Sequence, residues 1–240
     1  RSSKIAGAFG NPGGSLHLLL RSWSAGQSRE EFDGRMAVPG RRNGMEDEDE
    51  DGLFEEGGVV FGELDEDVPP HLRPLAEAAE LGDVEALRAA LDDLSSNIND
   101  PVEDGDTALH LSCLYGHLPC VQLLLEKGAS LEVKDEEGGL PLHDACAGGF
   151  IEIVQLLLDA ANSLQYIKQM LDTMDTEGDT PLHHAARGEH LDVVQLLLKA
   201  GASPQKSNIY GKTPAELSDP GTEVRSILEA ASSSGSLACQ

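Results

Sequence analysis

Lysine and arginine are scarce in this chain: 17 of them stand against 43 aspartates and glutamates in 240 residues, a formal net charge of −26. The deficit is uneven. Residues 1–45 hold seven basic and three acidic side chains, whereas residues 46–240 hold ten and forty. Nucleic-acid binding draws its affinity from basic groups that release counterions from phosphates, so a field of this sign argues against it, and against anionic membrane surfaces as well. A basic partner, or a basic segment of one, is attracted instead. Long apolar runs are also missing. None approaches the roughly 18 residues of a membrane-spanning helix, and stretches such as 121–125 are short and flanked by charge. Four cysteines do not make a disulfide framework here. Gly57-Gly58 and Gly148-Gly149 lack the lysine and helix context of a phosphate loop, and no serine sits in a nucleophile elbow. Carboxylates are plentiful, but a catalytic pair needs a pocket. The expectation is a non-enzyme with no catalytic residue, cofactor or metal.

What the chain has in quantity is repetition. Thr107-Ala108-Leu109-His110, Leu140-Pro141-Leu142-His143 and Thr180-Pro181-Leu182-His183 each follow a glycine (Gly105, Gly138, Gly178), and each leads into an apolar run ending Gln-Leu-Leu-Leu at Leu125, Leu158 and Leu198. The glycines lie 33 and then 40 residues apart, and 33 again separate Gly178 from Gly211 of a degraded copy, Thr213-Pro214-Ala215-Glu216. Over about residues 70–230 the chain resembles the ankyrin-repeat family, whose period of about 33 residues carries T-P-L-H-x-A. The stretch from Val68-Pro69-Pro70-His71-Leu72 onward is similar to small plant ankyrin-repeat proteins made of little else. The resemblance implies an all-α solenoid, each repeat a finger followed by two antiparallel helices, that binds other proteins rather than catalysing a reaction.

The local chemistry agrees. Where Thr starts the motif it supplies an N-cap oxygen, Pro at the first helical position gives up an N–H that had no partner, and His at the third can bond back to the cap. Cys113 and Cys146 take the place of Ala186 in the third repeat, a small buried residue that free cysteine can replace in a reducing compartment. The pairs His110/Cys113 and His143/Cys146 have metal-like spacing but fall on the structural motif. In the cluster His183-His184 and His190, only His184 has no place in the repeat pattern. Two departures stand out in the middle repeat. Leu140 replaces the capping Thr, an expected loss of about 0.5–2 kcal/mol. Ala161 stands where the neighbouring repeats have Gly128 and Gly201, and seven extra residues follow. Tyr166, Ile167, Met170, Leu171 and Met174 form a helical stripe there, predicting either a prolonged helix or an added short one across about 161–171.

Along the chain, residues 1–45 resemble an organelle transit peptide, with no acidic residue before Glu30, or are an upstream region translated ahead of Met36 or Met45. Residues 46–69 form an acidic arm expected to be disordered, with twelve Asp/Glu and no basic residue between 46 and 67. Repeats follow over 70–231: a capping repeat at 70–103, full repeats at 104–136, 137–176 and 177–209, and a second cap at 210–231 whose last helix is expected near 222–230. A loose tail covers 232–240. Cytoplasmic location is expected, with the nucleus possible and a plastid only if 1–45 is a true transit peptide.

The ankyrin resemblance also implies where binding occurs: on the fingers and on the inner face of each first helix. By position these are Glu103, Asp104 and Asp106; Glu136, Glu137 and Gly139; Thr176, Glu177 and Asp179; Ile209, Tyr210 and Lys212; and on the helices Leu114, Tyr115, Ala147, Gly148, Arg187 and Gly188. The expectation is a comb of seven carboxylates beside two tyrosines, with a dip at Ala147-Gly148 that admits a partner side chain. A monomeric adaptor that takes a basic or mixed-charge protein segment follows from this. The alternative is chaperone-like shielding of basic clients by the acidic arm.

Overall fold

The computed structural model describes residues 68–102 and 104–235. The expectations for 1–45, for nearly all of the acidic arm and for the chain beyond 235 lie outside the described residues. Within them every regular element is a helix. The first pair is α1, Arg73–Leu81, and α2, Val84–Asp92. Then come α3, Ala108–Leu114, with α4, Leu118–Glu126; α5, Pro141–Ala147, with α6, Ile151–Ala160; an added helix α7, Leu164–Asp172; α8, Pro181–Arg187, with α9, Leu191–Ala200; and α10, Pro214–Leu217, with α11, Glu223–Gly235. No helix among the described residues is long and apolar enough to cross a membrane.

The helices stack in two rows. The first helices pack in the order α1, α3, α5, α8, α10, and the second helices in the order α2, α4, α6, α9, α11. The repeat explains the packing. Val121 and Leu124, Val154 and Leu157, Val194 and Leu197 occupy the same positions of successive second helices, and all six are 0% exposed. Full burial of such a side chain contributes about 1.5–3 kcal/mol, and only a neighbouring repeat supplies the cover. Cys113, Cys146 and Ala186 are likewise buried at one shared position, as their spacing predicts. The turn between the two helices is also tied to the repeat before it: the His117 ring reaches the Glu80 carbonyl at 2.7 Å, and the His190 ring reaches the Ala147 carbonyl at 2.9 Å. Phe150 fills that position in the middle repeat.

The motif histidines work as expected. His110, His143 and His183 each accept the cap N–H on Nδ1, from Thr107 at 3.2 Å, Leu140 at 2.9 Å and Thr180 at 3.1 Å. The Leu140 helix therefore keeps the backbone half of its cap and loses only the hydroxyl contact that Thr107 and Thr180 make at 2.9 Å. Leu140 is itself 4% exposed, so its burial offsets that loss.

The seven extra residues form a separate helix, the second of the two forms expected. Ala161 leaves α6 in an extended conformation, φ −70° and ψ 125°, and Ser163 restarts the helix by accepting the Tyr166 N–H at 3.2 Å. Met170 and Leu171 are buried against α8 and α9, while Tyr166 and Ile167 are half-buried. The last helix runs to Gly235, beyond the end expected near Ala230. The Ser232 and Ser233 hydroxyls donate to the carbonyls one turn back, and Gln205 Nε2 donates to the Ser232 carbonyl at 2.6 Å.

Candidate functional site

Four fingers precede the first helices of the last four repeats, and one closure builds them all. Val102, Asp135, Asp175 and Asn208 donate their N–H to the carbonyls of Asp106, Gly139, Asp179 and Lys212, at 2.7, 3.2, 3.0 and 2.9 Å. Three of those residues brace the loop from inside as well. Asp135 Oδ1 accepts from Gly139 N, Asp175 Oδ1 from Glu177 N and Asp179 N, and Asn208 Oδ1 from Tyr210 N and Lys212 N, all between 2.8 and 3.0 Å. Neighbouring fingers are tied by main-chain bonds: Glu136 N to Asp104 O, Thr176 N to Glu137 O, and Ile209 N to Glu177 O, at 3.3, 2.7 and 3.0 Å. The glycines are needed for this lacing. At Gly105, φ is +76° and a Cβ would stand 2.6 Å from Glu136 N; at Gly178, φ is also +76° and the Cβ would stand 2.9 Å from Ile209 N.

The expected site residues separate into groups. Asp104, Glu136, Glu137, Gly148, Tyr210 and Lys212 are exposed; Leu114, Tyr115, Ala147, Glu177 and Arg187 are half-buried. Glu103 lies outside the described residues. Asp106 and Asp179 correct the expectation: both are 0% exposed and belong to the interior. In these two fingers the residue between the glycine and the helix cap turns inward instead of toward solvent, whereas Lys212 at the same position of the last finger is exposed. Asp179 accepts from Asn208 Nδ2 at 2.8 Å and makes a close ion pair with the Arg187 guanidinium. Arg187 is thereby engaged inside the array, with Glu177 Oε2 a further 3.9 Å away. Burial raises the Glu177 carboxyl above its ordinary range, and the nearby Asp179 and Asp175 add to that, against the lowering pull of Arg187. At the place of the expected dip, a Cβ on Gly148 would lie 2.2 Å from the Phe150 ring, so the space that the glycine leaves is taken by the chain's own aromatic side chain.

Behind the fingers, acidic and imidazole groups meet at the junctions between repeats. Asp106, His110, Asp135 and Asp144, none more than 9% exposed, each bring one ligand-type atom to within 4.8 Å of the others. Asp175, Asp179 and His184 form a second such group. Neither follows the His-x-x-Cys spacing. Burial pushes the Cys113 and Cys146 thiols well above their usual range, with Asp144 adding to it, so both stay protonated. In the second group the donors are already used by one another: His184 Nε2 bonds Asp175 Oδ2 at 2.8 Å, and Arg187 holds Asp179. This gives His184 the role that the repeat pattern left open. Burial alone would raise the Asp175 carboxyl, but the His184 hydrogen bond and charge outweigh it and the carboxyl is lowered. The His143 ring lies edge-on to His184 at 5.6 Å, and burial, reinforced by the His184 charge, pushes it down to about 3. Burial lowers His183 as well. Its Nδ1 accepts from Thr180, so the proton sits on Nε2 and points at the Lys212 carbonyl, 3.2 Å away.

Asn208 and Phe150 were missed as positioning residues. Asn208 was within reach of the sequence, because it lies 33 residues after Asp175, as Gly211 does after Gly178. Phe150 gave no such signal, since its counterparts are His117 and His190.

Comparison with known proteins agrees with the geometry. A search of curated proteins found no match to the chain. The family model described as ankyrin repeats in three copies matches residues 75–168 and again residues 142–208. Members of that family are in general protein–protein interaction modules and typically not enzymes. With more than half of its length matched, and with the finger, helix pair and capping histidine recurring in register, the chain belongs to the ankyrin-repeat family.

Proposed function

We propose that this protein is an interaction module, an adaptor that receives a basic or mixed-charge segment of another protein along its fingers and the inner face of its first helices. The observation that supports this most is the laced row of fingers, with Asp104, Glu136 and Glu137 exposed on the first two and Tyr210 66% exposed on the last. Aromatic side chains anchor such contacts and surrounding charge directs the approach. The reading includes a monomer that binds neither nucleic acid nor membrane. It also places the chain in a reducing compartment such as the cytoplasm, in keeping with the free, buried thiols of Cys113, Cys120 and Cys146.

The test compares affinity purification and mass spectrometry of the full chain with three variants. Tyr115→Ala with Tyr210→Ala, and Glu136→Lys with Glu137→Lys, should each remove the same specific partner while circular dichroism stays unchanged. Deletion of residues 46–67 should leave that partner bound. A partner lost only on deletion of 46–67 would favour shielding by the acidic arm instead.

A further inference from the structure

We propose, on the basis of the groove reading above, that the finger row takes an extended peptide in which basic residues lead to an apolar one. The cations meet Asp104, Glu136 and Glu137, and the apolar side chain meets Ile209 and Tyr210.

The argument starts from a polarity along the row that the sequence conceals. Asp106 and Asp179 turn inward, and Glu177 keeps its carboxyl 3.9 Å from the Arg187 guanidinium. By exposure alone, the carboxylates that reach solvent lie on the first two fingers, at Asp104, Glu136 and Glu137, whereas Glu177 on the third is half-buried. The last finger presents the opposite chemistry. Ile209 and Tyr210 are 67% and 66% exposed, and of the five large apolar side chains exposed among the described residues they alone are neighbours in the chain. Held out together at one finger tip, these two side chains are available to cover an apolar group of another molecule. A second copy of this chain is a poor occupant, because it carries the same excess of acid. Carboxylates on their own steer a cation without fixing its register, and two apolar side chains on their own set no direction. Together they specify both.

The spacing follows from the lacing. Each finger is two passes of chain, and at a strand-like separation of about 4.8 Å successive fingers stand about 10 Å apart. An extended peptide advances about 3.3 Å per residue, so about three residues span one finger. A cation over Asp104 is then about three residues from a cation over Glu136 and Glu137, and the apolar residue lies about six residues beyond that.

The experiment uses a fluorescein-labelled peptide with two lysines and one leucine at those spacings and alanine between them, together with its reversed sequence. Both are titrated with the full chain at low salt and followed by anisotropy. One direction should bind. Replacing its leucine by serine, or shuffling its residues, should weaken binding about tenfold, about 1.4 kcal/mol. Ile209→Ser with Tyr210→Ser should weaken the leucine peptide and leave the serine peptide unchanged, whereas Glu136→Lys with Glu137→Lys should weaken both. Equal binding of the shuffled peptide, failure of both directions, or indifference to the Ile209/Tyr210 pair overturns the inference. In the last case, loss of binding in the Glu136/Glu137 pair leaves the acidic groove standing without its apolar end. If neither pair matters, both readings fall together.

Discussion

Asp135 and Asn208 occupy one position of two repeats and solve the same local problem with different chemistry. Each braces its finger through Oδ1, and each faces the inward-turned aspartate of the preceding finger, Asp106 and Asp179 respectively. Asn208 gives Asp179 an amide proton, whereas Asp135 brings a second carboxyl to Asp106, with His110 and Asp144 beside them. Asn at 135 could keep the Gly139 contact and donate to Asp106. Asp135→Asn should therefore stabilise the protein at neutral pH by about 0.5–1.5 kcal/mol, read as a higher urea midpoint at unchanged slope. A lower midpoint would show that the carboxyl is preferred. His143 supports a second prediction at this scale. Its ring is held to about 3 in the folded state, against about 6.5 in an unfolded chain. Below that upper value the unfolded state takes a proton that the folded state refuses, so stability is full above about pH 6.5 and falls as the pH drops toward 3. The slope is about 1.4 kcal/mol per pH unit for one proton, or about 2 kcal/mol between pH 6.5 and 5. His183, lowered by burial, adds in the same direction. Asp175, also lowered, acts only below about pH 4. The raised Glu177 works weakly the other way near its own range. His143→Asn, whose amide oxygen can still accept the Leu140 N–H, should flatten the curve between pH 6.5 and 5; an unchanged slope would assign the proton elsewhere.

At the scale of an element, the middle repeat shows how a helix start tolerates loss of its capping hydroxyl. The imidazole of His143 supplies the acceptor for the Leu140 N–H, and the Leu140 side chain enters the core. Leu140→Thr restores the hydroxyl contact but gives up apolar burial of similar worth, so the stability change should stay within about 1 kcal/mol. A gain of 2 kcal/mol in thermal or urea unfolding would mean that the cap outweighs the packing. The residues that make this repeat work were unevenly visible in the sequence. The helix starts, the capping histidines and the added helix α7 were all legible, because each depends on contacts within a few residues and on a period that recurs. The inward turn of Asp106 and Asp179 was not. Whether a carboxylate beside a finger glycine faces solvent depends on what the next repeat offers it, and Arg187 and Asn208 lie 8 and 29 residues from Asp179. The row of acidic fingers was therefore readable as a location but not as a charge distribution.

At the scale of the whole molecule, stability is a chain of nearest-neighbour interfaces, each repeat held by the ones beside it. Among the described residues the outermost pairs are helices α1 and α2 and helices α10 and α11. In α11, Val224 and Leu228 are 2% and 0% exposed, and the helix packs on α9 and α10. Ending the chain after Thr222 would uncover that contact at a cost of about 3–6 kcal/mol for the two side chains. In a cooperative globule the loss would spread evenly. In a stack joined only through neighbours it should be graded: hydrogen exchange should accelerate most in α8 and α9, less in α5 and α6, and least in α1 and α2. The finger row would follow the same gradient, with the Ile209 and Tyr210 finger loosening before the Glu136 and Glu137 finger. Truncation should thus separate the two ends of the proposed binding row by stability alone. A uniform increase in exchange across all the helices would show instead that the repeats unfold as one unit.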